Sequence, residues 1–366
     1  MREIKILHAA DLHLDSPFEG LSASRAALRR QEQRELLGRI AELAVSENAD
    51  IVLLCGDLLD SSNTYHETGE ELIRALSAIS VPVFIAPGNH DFYSASSPYA
   101  RLALPENIHI FKGTAMECVR LDGLAVNVYG AAFTDSFTSP ELSSFSVLRE
   151  AGRLNILCAH SQTGFSPVDA GALASSGFDY AALGHIHKPS GLLKSGETFY
   201  SWPGCPEGRG FDECGERYVN LITLSDTGCA LKQLSIAGRR YEILTVDVTD
   251  KEPLLAIHSL IGEGAPRDIY RIILTGEAVN APDIDRLRLN LSDLFFSLQL
   301  LDRTRPPVDV WQSASEDSLR GLFIRRLKAR CDSASDEDER RLCTQAARWG
   351  LAAIDNMEEI AKHEDQ

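Results

Sequence analysis

Apolar residues along this chain fall into two patterns, and the alternation between them predicts the elements. Short dense runs predict buried strands: Ile4-Lys5-Ile6-Leu7-His8-Ala9-Ala10, Ile51-Val52-Leu53-Leu54-Cys55 and Val81-Pro82-Val83-Phe84-Ile85-Ala86. Between Ser24 and Asn48, Leu28, Leu36, Leu37, Ile40, Leu43 and Ala44 recur with helical spacing among charged residues, the mark of a helix packed on a sheet. A second helix is expected from about Glu67 to Ser80, so the first ninety residues read β-α-β-α-β. Strands follow at Ile108–Phe111, Ala125–Tyr129, Leu154–Ala159 and Phe178–Leu183. Three more lie between Thr198 and Leu234, with turns at Pro203-Gly204, Gly208-Arg209-Gly210 and Thr227-Gly228. The pattern restarts near Gly238: strands Tyr241–Val248, Ile269–Leu274 and Phe296–Leu301 alternate with helices Glu252–Gly262 and Asp283–Leu294. Beyond Arg305-Pro306-Pro307 the chain becomes helical, Ser315–Cys331 and Glu339–Lys362, with Leu319, Leu322, Phe323 and Leu327 expected on one face of the first. Three regions are expected, 1–240, a small α/β domain 241–305, and a helical segment 306–366.

Five of the strand ends finish in the same kind of chemistry. The first carries Asp11 and His13, which an extended backbone would point to the same side. The second carries Gly56-Asp57 with Asp60 three residues on, and the third Pro87-Gly88-Asn89-His90-Asp91, where Gly88 permits a sharp turn. Later strands end in His160 and in Gly184-His185-Ile186-His187. Any one of these is adequately read as a polar turn, and His8, His109 and His66 are read as two strand residues and a surface residue. Five in one chain are not. Carboxylate, imidazole and one amide oxygen make a borderline-hard donor set suited to manganese, iron or zinc. There are more donors than one tetrahedral site can use, which points to two metals sharing a bridging carboxylate.

Composition narrows the setting. The 366 residues, 44% hydrophobic and 24% charged, suit a globular protein with an accessory domain, and no apolar run approaches bilayer length. The N-terminus enters a strand at once without a signal-peptide pattern, and the eight scattered cysteines form no Cys-x-x-Cys pair. Both suggest reduced thiols in the cytoplasm. A net charge of −17 counts against a protein that coats nucleic acid unaided, though bound cations or a partner can supply positive charge. No Gly-x-x-x-x-Gly-Lys-Ser/Thr loop occurs, so ATP hydrolysis would belong to another chain.

The order Asp-x-His, Gly-Asp, Gly-Asn-His, His, Gly-His-x-His resembles the calcineurin-like metallophosphoesterases over roughly residues 1 to 240. Tyr200-Ser201-Trp202-Pro203-Gly204-Cys205-Pro206-Glu207-Gly208-Arg209 with Phe211-Asp212-Glu213, and the small domain beyond, resemble the SbcD-type DNA double-strand-break repair nucleases and their YhaO-like relatives. The resemblance implies a four-layer αββα sandwich with a small α/β capping domain and C-terminal helices. It implies that Asp11, His13 and His187 hold one divalent metal, Asn89, His160 and His185 a second, and that Asp57 bridges them, with manganese the expected metal. It also implies a metal-activated hydroxide attacking phosphorus, His90 protonating the leaving group, and the Asp60 carboxylate orienting His90. The implied substrate is DNA, with cyclic nucleotides or other small phosphodiesters as the alternative. The implied partners are an SMC-like ATPase docking on the C-terminal helices and a second copy of the chain. Ser61-Ser62 stand where protein phosphatases of the superfamily carry Arg-Gly, which disfavours a phosphoprotein substrate. Two residues stay open: Arg209 contacts a phosphate or pairs with Asp212 or Glu213, and Asp91 supports the site or, by preference, caps a helix.

Overall fold

The computed structural model describes residues 2–61, 64–160, 170–263, 265–307 and 309–354. The strands are β1 (Ile4–Ala9), β2 (Ile51–Leu54), β3 (Val83–Ile85), β4 (Ile108–Ile110), β5 (Glu117–Leu121), β6 (Val126–Gly130), β7 (Leu154–His160) and β8 (Tyr180–Gly184). They continue with β9 (Leu193–Ser195), β10 (Thr198–Ser201), β11 (Val219–Ser225), β12 (Gly228–Leu234), β13 (Tyr241–Asp247), β14 (Ile269–Thr275) and β15 (Ser297–Asp302). The helices are α1 (Ala23–Ser46), α2 (His66–Ser77), α3 (Pro98–Arg101), α4 (Ala170–Ala174), α5 (Pro253–His258), α6 (Ile284–Leu291), α7 (Leu319–Asp332) and α8 (Glu337–Ile354). The expected continuation of the last helix to Lys362 lies outside the described residues.

Two six-stranded sheets dominate, in the orders β12-β11-β1-β2-β3-β4 and β5-β6-β7-β8-β10-β9. In the first, β1 to β4 run parallel, as crossover helices require, and the hairpin β11–β12 closes the edge antiparallel to β1. In the second, β6, β7, β8 and β10 are parallel, and β5 and β9 add antiparallel edges. The apolar runs of β1 to β3 divide by strand alternation. Leu7, Ala9, Val52, Leu54, Val83 and Ile85 meet Leu36, Leu37 and Ile40 of α1 and Leu72 and Leu76 of α2. The intervening Ile4, Ile6, Ile51, Leu53 and Phe84 meet Val126, Val128, Leu154, Ile156 and Tyr180 of the second sheet. A third cluster, with Leu157, Phe178, Leu183 and Trp202, covers the far face of that sheet beside α4. This is the layered α/β sandwich, with a thin fourth layer. Strand β5, missing from the sequence reading, is mostly exposed and has too few apolar positions to announce itself. Cys55 and Cys158 are buried core residues, their Sγ atoms 3.6 Å apart.

The described chain forms two compact units. The first comprises Met1–Val246, Ile257–Ile273 and Ile284–Leu301; the second comprises Asp247–Ala256, Leu274–Asp283 and the residues from Asp302 on. Strands β13, β14 and β15 form a three-stranded sheet in that order. In the second unit, α7 and α8 share a small core of Val310, Ile324, Ala347 and Leu351. Ile324 is its fully buried α7 member, while Leu319 and Leu322, expected on one face with Phe323 and Leu327, are exposed. Among the described residues no helix is long and apolar enough to cross a membrane.

Phe84 reports on the inter-sheet core, because its ring is buried there and stacks near Phe111 with centroids 6.1 Å apart. Phe84→Ala is expected to cost about 3–5 kcal/mol of stability, read as a lower urea midpoint with an unchanged slope.

Candidate metal centre

The ends of β1, β2, β3, β7 and β8 lie together because the loops leaving β1 and β2 continue to pair after the strands stop. Asp11 N–H donates to Gly56 O at 3.0 Å, His13 N–H to Asp57 O at 2.9 Å, and Leu14 N–H to Leu58 O at 2.8 Å. From α1, the Gln33 side-chain amide donates to Leu12 O at 2.9 Å and fixes the first loop from behind. Asp11, His13 and Asp57 have φ of 56°, 45° and 50°, and His185 has 93°. Asp11 and His13 therefore converge through left-handed turns rather than through strand alternation. Non-glycine residues hold such angles only when their surroundings enforce them. Gly56, with φ 82°, is needed for space as well, since a Cβ there would lie 2.5 Å from the His160 ring. Gly88 serves closeness instead of a special turn: a Cβ would run into the Asp57 carboxylate.

Side-chain atoms converge in two groups with Asp57 between them. Ligand-capable atoms of Asp11, His13 and His187 lie within 4.8 Å of one another, and so do those of Asp57, His160 and His185. A third, overlapping set is His13, Asp57 and His90. In the first group His13 Nδ1 meets Asp60 Oδ1 at 3.0 Å and His187 Nδ1 meets Glu213 Oε1 at 2.7 Å. Each carboxylate accepts the Nδ1 proton, which assigns the bare lone pair to Nε2 on both rings. Those two Nε2 atoms face each other at 3.2 Å. In the second group His160 Nδ1 donates to Cys55 O at 2.9 Å. Its Nε2 has around it His185 Nδ1 at 3.2 Å, Asn89 Oδ1 at 3.2 Å and Asp57 Oδ2 at 3.3 Å. The same Asp57 oxygen is 3.8 Å from His13 Nε2, so it faces both groups, while Oδ1 accepts the His90 N–H at 2.9 Å.

Electron-rich atoms pointing at one another need a cation or a proton between them. The donor set fits two divalent metals: nitrogens and oxygens with one carboxylate oxygen common to both groups. Electrostatics without metal are consistent with that demand. Burial lowers His13 and His185 to about 4, so both rings are neutral near pH 7. Burial alone would lower His160 too, but the Asp57 carboxylate outweighs it and lifts His160 to about 9. Burial raises Asp11 to about 6. Asp57 is held well below the ordinary range: burial opposes ionisation, and the neighbouring His160 overcomes it.

Two expectations about the surroundings are corrected. Asp91 caps no helix, for α3 begins only at Pro98. Its buried carboxylate accepts the main-chain N–H groups of Gly88 (2.7 Å), Asp57 (3.1 Å), Leu58 (2.7 Å) and Leu59 (3.3 Å), and the Tyr99 hydroxyl. It thereby binds the loop after β3 to the loop after β2. The Asp60 carboxylate serves His13 and not His90; what reaches His90 Nδ1 is the Asp60 main-chain O, at 3.2 Å. His90 is exposed at the rim, edge-on to His13 with centroids 4.9 Å apart. Arg209 resolves to ion pairs with Glu213 at 2.9 Å and Asp60 at 3.3 Å. Glu213 was legible only as a pairing option for Arg209, because nothing local announces that it reaches His187 across 26 residues. Phe133, whose ring lies edge-on to His160 at 5.6 Å, carried no sequence signal. His8 is a buried strand residue against Tyr180, His109 is half-buried, and His66 is exposed.

Residues 4–189, just over half of the chain, match the family model described as calcineurin-like phosphoesterase. The chain is similar to the uncharacterized metallophosphoesterase YhaO of Bacillus subtilis, 26% identical over 302 residues that cover 76% of this chain and 73% of that protein. It is 24% identical to the DNA double-strand break repair protein Mre11 of Saccharolobus solfataricus over 332 residues, 84% of each chain. With the SbcD component of the nuclease SbcCD of Bacillus subtilis it shares 26% identity over 267 residues, 61% of this chain and 66% of that one.

Replacing Asp91 by Ala strands several buried N–H groups at once, and a loss of about 3 kcal/mol is expected together with loss of bound metal. Unchanged melting and metal content would show that the two loops hold together without it. Metal uptake should also displace protons. His160, charged at pH 7 in the metal-free protein, must give up its Nε2 proton to act as a ligand. Calorimetry in two buffers of different ionisation enthalpy should find about one proton released per protein at pH 7. Apparent affinity should rise about tenfold per pH unit and level off as the pH passes about 9, where His160 is already neutral.

Proposed function

We propose, from the premise that this chain belongs to the calcineurin-like phosphoesterase family and is a metal-dependent hydrolase, that it is a two-metal phosphodiesterase cutting DNA, with manganese as its metal. The observation that carries the reading is the pair of converging donor groups joined through Asp57 Oδ2, with an exposed imidazole, His90, at their rim. Two divalent cations held there would supply the charge that activates a water and neutralises the phosphoryl oxygens. Asp11, His13 and His187 are proposed as ligands on one side, Asn89, His160 and His185 on the other, with Asp57 between them. His90 is the proposed general acid. Its Nδ1–H is directed to the Asp60 carbonyl, which leaves Nε2 to carry a proton toward a leaving sugar oxygen. Asp60 thus contributes through its main chain to His90 and through its carboxylate to His13.

DNA as substrate, in repair and in the cytoplasm, rests on the likeness to Mre11 and to the SbcD component of SbcCD. The small domain beyond residue 240, its boundary near 305, and a second copy of the chain belong to the same proposal. So does an SMC-like ATPase that supplies positive charge to a −17 chain. For that partner α7 is the proposed docking element, its Leu319 and Leu322 exposed beside Arg320, Arg325, Arg326, Lys328 and Arg330. The acidity of the chain favours a second reading, a cyclic nucleotide or other small phosphodiester as substrate.

The test is hydrolysis of linear duplex DNA, single-stranded DNA and bis-p-nitrophenyl phosphate with manganese, for wild type and His90→Ala, with metal content assayed in both. The variant is expected to keep its metals and lose about 100-fold or more in kcat on DNA. It should lose far less on the nitrophenyl ester, whose leaving group departs without a proton. Cleavage of the small diester alone, even with an SMC-like ATPase present, would reject DNA as substrate. Equal losses on both substrates would reject the general-acid role.

A further inference from the structure

The two halves of the centre are oriented by different means. His160 is fixed by a main-chain carbonyl, that of Cys55, which is part of the strand framework. His13 and His187 are fixed by the carboxylates of Asp60 and Glu213, carried on two segments far apart in the chain. One guanidinium joins those carboxylates. Arg209 Nη1 donates to Asp60 Oδ1 at 3.3 Å, Nη2 to Glu213 Oε1 at 2.9 Å and Nε to Glu213 Oε2 at 3.4 Å, and its main-chain N–H donates to the same Oε2 at 2.8 Å. Nη2 also lies 3.1 Å from His187 Nδ1. The side chain is 21% exposed, and the guanidinium is turned into this network. Arg217, buried, ties the same turn to the His187 segment by donating to the carbonyls of Glu213, Cys214 and His187.

We infer that Arg209 and Glu213 are positioning residues for the metal held by Asp11, His13 and His187, and for that metal selectively. The fork of Arg209 sets the spacing of the two carboxylates and hence the facing of the two Nε2 atoms. It also balances two carboxylate charges that would otherwise repel within one contact of both rings. Among the described residues the orienting contact on the His160 side is the Cys55 carbonyl at 2.9 Å, and the nearest carboxylate to the same Nδ1, that of Asp11, lies farther off at 3.9 Å. A lysine cannot reproduce the clamp, because a single ammonium cannot hold both carboxylates in the planar geometry of the fork. This inference rests on the metal-binding part of the proposed function and not on DNA as the substrate, so failure of DNA cleavage leaves it standing.

The experiment is manganese titration of the metal-free full chain by calorimetry and by metal analysis after equilibrium dialysis, for wild type, Arg209→Met, Arg209→Lys and Glu213→Gln. His13→Ala and His160→Ala assign the two binding steps, and melting of each metal-free variant serves as the control for folding. In all three clamp variants the step removed by His13→Ala is expected to weaken about 10- to 100-fold, the usual loss when a partner of a ligand is removed. The step removed by His160→Ala should stay at its wild-type affinity. Equal weakening of both steps, or a fall in melting temperature that tracks the loss, would reduce Arg209 to a general brace and overturn the inference. Unchanged affinity at both steps would overturn it as well, and so would full retention in Arg209→Lys with loss only in Arg209→Met, which would show that charge alone suffices.

Discussion

Buried negative charge is the constraint around which this structure is arranged. Asp11, Asp57 and Asp91 are all within 2% of full burial and belong to one cluster of loops. Each offsets the cost of burial differently. Asp91 does so with hydrogen bonds, its carboxylate accepting from the main chain of two loops and the hydroxyl of Tyr99. Asp57 is stabilised as an anion by the His90 N–H and by the charge of His160. Asp11 accepts from the His185 N–H, at 2.9 and 3.1 Å from its two oxygens, and has His160 Nδ1 at 3.9 Å, yet burial still raises it to about 6. Between the histidines nitrogen atoms face one another, at 3.2 Å in each group, where bound cations would satisfy them.

Backbone strain is also present there. Of the nine non-glycine residues with left-handed φ among the described residues, four, Asp11, His13, Asp57 and His185, fall at the centre. They are held by the pairing of the post-strand loops, by Gln33 from α1 and by Asp91 from the loop after β3. The double sandwich supplies the rigidity. With one core between α1, α2 and the first sheet and another between the sheets, the strand ends cannot drift apart without opening a packed interior.

The centre is also asymmetric in its supports. Main-chain carbonyls orient His160 and His90, whereas side-chain carboxylates orient His13 and His187. A carbonyl comes with the fold and cannot be substituted away. A carboxylate must itself be placed, which is why Arg209 and Arg217 accumulate on one side.

Much was legible in the sequence because it is local. Apolar runs and helical spacing in residues 4 to 86 placed β1, α1, β2, α2 and β3 within a few residues of their ends. The type of residue at these strand ends was enough to indicate metal chemistry, since few other reasons gather Asp, His and Asn at five strand ends of one chain. What the tertiary structure alone decided is which atom meets which. The Asp60 carboxylate turned to His13 and only its carbonyl to His90; Asp91 became a brace rather than a cap; Glu213 reached His187, and Arg209 joined two carboxylates. The physical reason is that strand and turn formation depend on neighbours a few residues away. Tautomer, orientation and charge balance depend on partners 26 to 149 residues distant, brought together only when two sheets close on each other.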